Sequence, residues 1–162
     1  MLKIVDLFIP GTPQGKGRAR SFMRNGGISH VTPDKTRTYE GIIRTLAMEA
    51  MGAKPPSRMP VKIDLVIVMP IAESWPKWKR HAAKEGYLAP TAKPDSDNVE
   101  KAIKDALNGV VWVDDAQAVF GIKEKVFGEK PGVYVKAYAL NRVPSGVKSK
   151  EEFSDYVKRL GL

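Results

Sequence analysis

Lys93-Pro94-Asp95-Ser96-Asp97-Asn98-Val99-Glu100-Lys101-Ala102-Ile103-Lys104-Asp105-Ala106-Leu107-Asn108-Gly109-Val110-Val111-Trp112-Val113-Asp114-Asp115-Ala116-Gln117 decides how the rest of the chain reads. Val99, Ile103, Ala106, Leu107 and Val110 recur at helical spacing and give a helix one apolar face. Asp97, Lys101, Lys104 and Asn108 fall on another face, three or four residues apart. Pro94 disfavours helix at Lys93, and Asn108-Gly109 supplies a stop that tolerates positive φ. The helix is therefore short, roughly three turns. Acids bracket it, with Asp95 and Asp97 at its start and Asp114 and Asp115 beyond its end.

A helix folded back on its neighbours can bring the acids before it close to the acids after it. Four carboxylates in one place repel each other and desolvate poorly, which a divalent cation among them relieves. The structural alternative is plain capping. Asp, Ser and Asn are ordinary N-caps, acids suit the positive end of the helix dipole, and Asp-Asp before an apolar run is an ordinary turn. One acid is enough to cap, however, and this start carries two, with Lys101 one turn further on. A second acidic pair then recurs beside Val110-Val111-Trp112-Val113.

With 162 residues, 43% of them apolar, the chain is long enough for one domain with a real core. No apolar run approaches a membrane span and no signal-peptide layout opens the sequence, so a cytoplasmic protein is expected. The absence of Cys excludes disulfides, thiolate zinc sites and a Cys nucleophile. His30 and His81 are too few for a His-rich metal site, leaving a hard cation held by oxygens as the metal option. The net charge of +9 is unevenly spread. Residues 1–59 carry ten Lys/Arg against four Asp/Glu, while residues 91–142 carry eight against eight. Such a division suits a polyanion held by one surface and attacked at another. A merely solvated basic surface is the alternative.

Residues 1–10 read as a first strand. Gly11 to Arg20 follows as a basic glycine-rich loop that lacks the Walker A spacing. Its glycines could let backbone approach phosphates, and Lys16, Arg18 and Arg20 could contact a nucleic-acid backbone; a flexible basic turn is the other reading. Residues 21–31 suggest a hairpin around Asn25-Gly26-Gly27. Thr32 as N-cap and Pro33 at the first position open a helix running to about Met51, with Tyr39, Ile42, Ile43, Leu46, Ala47 and Ala50 on its apolar face. Lys35, Arg37 and Arg44 lie off that face. Val61 to Met69 alternates cleanly and is a strand ended by Pro70. Ser74-Trp75-Pro76 starts a short helix that carries Lys77, Trp78, Lys79, Arg80, His81 and Lys84 and stops at Gly86. Trp78 is expected to pack inward beside Ala82, leaving the cations free for phosphate. Residues 116–127 and 133–140 read as two strands of a hairpin joined by Gly128–Gly132. Ser149 or Ser154 caps a final helix holding Phe153, Tyr156, Val157 and Leu160.

Lys93-Pro94-Asp95-Ser96-Asp97-Asn98, Lys101, Asp105-Ala106-Leu107-Asn108-Gly109 and Asp114-Asp115-Ala116-Gln117 together resemble the signature of RusA-type Holliday junction resolvases, endodeoxyribonucleases carried by phages and prophages. Gly11 to Arg18 resembles that family's N-terminal loop, Thr32 to Arg37 the start of its first helix, and Ser74 to Arg80 its basic segment. Lys125 and Tyr134 fall in its final hairpin. The resemblance covers most of residues 1–140.

The resemblance implies an α+β (mixed α/β) fold: one domain over residues 1–162, with a small mixed sheet and β-hairpins packed against helices. Residues 143–162 are expected to form a helical C-terminal extension. It implies a homodimer, a Mg²⁺ requirement with no small-molecule cofactor, and cutting of four-way junction DNA in a bacterial host, the gene being of phage or prophage origin. Asp95, Asp97 and Asp115 fall on the family's metal-binding carboxylates, with Asp114 beside them, and Lys101 falls on its catalytic lysine. Lys16, Arg18, Arg20, Lys35, Arg37, Lys77, Lys79 and Arg80 are the expected DNA-binding residues. Three rival readings stay open on the sequence: a nuclease that cuts flaps or duplex, a basic nucleic-acid-binding protein whose acids only cap helices, and a structural phage protein.

Overall fold

The computed structural model describes residues 1–18, 20–24, 27–31 and 33–161; within residues 20–31 it describes the side chains of Ser21 and Met23 alone. The strands are β1 (Leu2–Pro10), β2 (Arg20–Arg24), β3 (Gly27–Val31), β4 (Val61–Pro70), β5 (Ala118–Gly128) and β6 (Gly132–Ala139). The helices are α1 (Asp34–Met51), α2 (Lys77–Lys84), α3 (Ser96–Leu107) and α4 (Lys150–Leu160), with a 3₁₀ turn at Asp115–Gln117. β2 and β3 form the expected antiparallel hairpin. The Asn25-Gly26 turn, the Thr32 cap and the Arg20 side chain lie outside the described residues.

Four strands make the main sheet in the order β1-β6-β4-β5. β6 runs antiparallel to both β1 and β4, and β4 runs parallel to β5. The α+β expectation is met, but the hairpin expected for the last two strands is not formed. β5 and β6 lie on opposite sides of β4. The cause is visible in β4 itself, whose Val61, Ile63, Leu65, Ile67, Val68 and Met69 are all buried. So apolar a strand belongs at the sheet centre with a partner on each edge. Pro70 ends it, and Glu129-Lys130-Pro131 carries the chain across that end. Gly132 makes this possible: a Cβ there would sit 2.5 Å from the Ile9 carbonyl and inside the Phe8 ring.

A parallel β4–β5 pair needs a long crossover. Here α2, α3 and the 3₁₀ turn supply it, and this places the acidic stretch over the sheet. α1 packs against α3 and β1. Val99, Ala102, Ile103, Ala106 and Leu107 of α3 are buried against Tyr39, Ile43 and Ala47 of α1 and the sheet's apolar face. Each fully buried Leu or Ile of this layer stabilises the fold by about 1.5–3 kcal/mol. Gly109 ends α3 with φ +75°, as the Asn-Gly pair predicts. On α1, Pro33 occupies the N-cap position, and Ile42 and Ala50, expected on the buried face, are exposed. Ser149, not Ser154, caps α4 by accepting from the Glu152 N–H, and α4 buries none of its residues.

Candidate active site

Helical periodicity builds the site twice over. The apolar stripe of α3 faces the core; the stripe Asp97, Glu100, Lys101, Lys104 and Asp105, also at three- and four-residue spacing, faces outward. These five residues and Asp115 line one groove of about 250 Å³. Asp97 and Asp115 therefore meet on one surface feature although they come from opposite ends of the helix–turn segment. Lys101 lines the same groove. Asp95 occupies the N-cap position of α3 just beyond the groove lining, and its side chain makes no capping hydrogen bond.

Asp115 is held from below. Trp112 is completely buried, and its Nε1–H donates to Asp115 Oδ1 at 3.0 Å. Asp114 behaves differently from its neighbour. Its Oδ1 accepts from the Ala116 N–H at 2.8 Å, while its own N–H donates to Gln117 Oε1, closing a capping box. Gln117 Nε2 in turn donates to the Ser57 and Met59 carbonyls, both at 2.9 Å. Of the two acids in this pair, Asp114 serves the turn and Asp115 faces the groove.

Two lysines neutralise the stripe. Lys123, reaching over from β5, pairs with Asp97 and with Glu100, the latter at 2.7 Å. Its pKa is raised by its hydrogen bond to Asp97 first and by that to Glu100 second. Lys16 pairs with Asp105 and with Glu40 at 3.2 Å. Burial pulls the Lys16 pKa down, but hydrogen bonds and charge attraction from Asp105 and Glu40 more than reverse this and raise it. The Lys16 ammonium is thus turned inward rather than offered to solvent. Its loop is clamped onto the helix starts: Lys16 N–H donates to the Asn98 carbonyl at 2.9 Å, and Gly17 N–H to Thr36 Oγ1 at 3.0 Å.

The other expected DNA-binding cations are distributed as follows. Arg18, Lys35, Arg37, Lys77 and Arg80 are exposed, Arg37 lying 3.6 Å from Asp34. Lys79 is partly covered, its ammonium 4.1 Å from the centre of the Trp75 ring. Trp78, expected inside, is 69% exposed; Ala83 is the buried residue of α2 and Trp75 the packed tryptophan, edge-to-face with Phe127. Glu100, Asp105, Lys123 and Trp112 are site residues that the sequence reading passed over. The first two follow from the same spacing that singled out Lys101 and Lys104; the last two depend on tertiary contacts.

The donor chemistry of the groove suits a hard divalent cation, since every candidate ligand is a carboxylate oxygen. As the side chains stand, no three Asp, Glu or His among the described residues lie close enough together to hold an ion. Helix geometry explains part of this: Asp97 and Asp105 are eight residues apart, about 12 Å along the axis. Asp97 and Asp115 are the acids that both face the groove and belong to the expected set.

A family model described as "Endodeoxyribonuclease RusA" matches residues 10–138. The chain is also 35% identical over 135 residues to "Uncharacterized protein YqaN" of Bacillus subtilis (strain 168), a match that covers 81% of this chain and 93% of that protein. Among the described residues, no helix is long and apolar enough to cross a membrane.

Proposed function

The chain belongs to the RusA endodeoxyribonuclease family, and from that premise we propose that it is a Mg²⁺-dependent resolvase making paired, symmetric cuts in four-way DNA junctions. The observation that carries the proposal is the shared groove of Asp97, Asp115 and Lys101, assembled from two segments that the fold brings together. The capping alternative accounts for Asp114 but not for Asp95, whose side chain caps nothing.

Asp97 and Asp115, with Asp95 at the helix start, are the residues that would hold the ion. When bound, it would supply a water acidified to hydroxide and positive charge for the phosphate oxygens. The protein's own groups do the rest. Trp112 fixes the rotamer of Asp115, so one ligand is oriented before any ion arrives. Lys123 gives Asp97 a counter-charge, a role that a bound cation would take over. Lys101, exposed on the groove wall, meets a non-bridging or leaving oxygen of the scissile phosphate. Arg18, Lys35, Arg37, Lys77 and Arg80 hold the arms by backbone contact, which makes affinity fall with salt. A homodimer fits a junction with two equivalent strands to cut. The outer edge of β5, with exposed Val119, Phe120 and Ile122, is the apolar surface that supports one.

One gel tests the proposal: a labelled four-way junction and a linear duplex, each with Mg²⁺ and with a chelator. Paired nicks at symmetric positions on the junction alone, with Mg²⁺ alone, are the expected result. Equal cutting of the duplex would replace it with a broader nuclease. Salt-sensitive binding without cutting in any divalent metal would leave a non-catalytic binding protein.

A further inference from the structure

Between the end of β4, α2 and the segment leading into α3 lies a cavity of about 400 Å³ that the hydrolytic groove does not use. Its walls include Met69, Trp75, Lys79, Pro90, Lys93 and Phe127. Trp75 and Phe127 form a corner, their ring centres 5.3 Å apart and their planes at 76°. Lys79 lies over the Trp75 ring, and Lys93 is exposed; among the described residues neither has a carboxylate partner. The cavity is thus apolar and aromatic inside with two uncompensated cations in its lining, and its volume lies within the range usual for ligand sites, about 300–1,000 Å³.

We propose that this cavity receives one unstacked nucleobase of the DNA strand being cut, with Lys79 and Lys93 meeting the phosphates on either side of it. The inference rests on the endonuclease reading and adds a substrate subsite to it. Aromatic faces stack on any base, and enzymes that work on nucleic acids place extruded bases in pockets walled by aromatic and apolar side chains. Charge complementarity favours a nucleotide over an uncharged apolar guest. Position does too. Lys93 lies two residues before Asp95, and Lys125 Nζ donates to the Ala92 and Pro94 carbonyls at 2.8 and 3.0 Å. The cavity wall that would touch the base is therefore the segment that delivers Asp95 to the start of α3. A filled cavity would hold the same segment that Lys125 already ties to β5.

The test uses four-way junctions carrying a single 2-aminopurine, moved one position at a time across the crossover, with full-length Asp97→Asn protein at saturation. Emission of this base rises when a neighbouring base leaves the stack, whereas a probe that itself sits on an aromatic ring stays quenched, so the brightened position is the one next to the extruded base. A severalfold rise at one position beside the cleavage site is expected. It should vanish in Asp97→Asn/Trp75→Ala and persist in Asp97→Asn/Trp75→Phe, which keeps a flat ring and controls for folding. In the protein with Asp97 intact, Trp75→Ala should slow cutting by at least about fivefold, the scale of one lost base stack. No brightening at any position, from protein that binds the same junctions, overturns the subsite whatever the cleavage result. Brightening without any cutting by the protein with Asp97 intact keeps the subsite and overturns the nuclease reading instead.

Discussion

Trp112 donates its indole N–H to Asp115 Oδ1 at 3.0 Å from a ring with no exposed surface. A buried donor that has one carboxylate oxygen as its partner orients that carboxylate and leaves its other oxygen for a ligand. Trp112→Phe retains most of the packing and removes the donor. We expect the Mg²⁺ concentration for half-maximal cleavage to rise about 10–100-fold, the usual cost of losing a group that orients a metal ligand, with little change in junction binding. A Mg²⁺ titration of the cleavage rate checks this; an unchanged titration would mean Asp115 does not hold the ion.

Asp95 and Asp114 give a contrasting pair. Asp114→Ala removes an acceptor for the Ala116 N–H and opens the capping box, so it should cost about 0.5–2 kcal/mol of stability. Asp95→Ala removes a side chain that caps nothing, so stability should stay within about 0.5 kcal/mol while cleavage is abolished. Urea unfolding midpoints beside cleavage rates separate the two, and equal destabilisation by both would return Asp95 to the role of a simple cap.

Lys123→Met leaves Asp97 without its cation. If an ion displaces Lys123 when it binds, the variant should need several-fold less Mg²⁺ for half-maximal cleavage and should lose thermal stability in chelator. A higher requirement would show instead that Lys123 assists the loaded site.

Lys16 gives a pH signature. Its pKa is raised in the fold, so the stability it contributes is fully present below the ordinary lysine value of 10.5 and is lost as the pH climbs through the higher folded value. The difference in melting temperature between the unsubstituted protein and Lys16→Met should therefore be constant at neutral pH and shrink in strong alkali. Lys16→Met should also leave the salt dependence of DNA binding nearly unchanged, because its ammonium faces Asp105 and Glu40. A markedly shallower salt slope would place Lys16 on the DNA.

What the sequence could reveal followed from periodicity. The limits of α3, the buried alternation of β4 and the Gly109 stop are local signals, and each is legible from a few neighbours, whereas spacing leaves the cap of α4 open between Ser149 and Ser154. Strand partnership is not local: the turn between β5 and β6 looks like a hairpin turn, and only the pairing of β4 with β6 on one edge and β5 on the other separates them. Trp75 and Trp78 could not be ranked by spacing, because the fold, not α2 alone, brings Phe127 to Trp75. In the groove, the stripe that identified Lys101 and Lys104 also contains Glu100 and Asp105. Lys123 and Trp112 enter through β5 and the turn after α3, and no spacing within α3 points to them.

The lysine partners of the groove acids also bear on the order in which the protein matures. Asp97, Glu100 and Asp105 each have an ammonium group from the same chain against them, so their mutual repulsion is relieved without any imported charge. Internal charge compensation of this kind lets the polypeptide reach its native shape in metal-free solution. On the proposed metal-dependent reading, activation would be a reversible exchange of one positive charge for another, set by the free cation level and not by a refolding event.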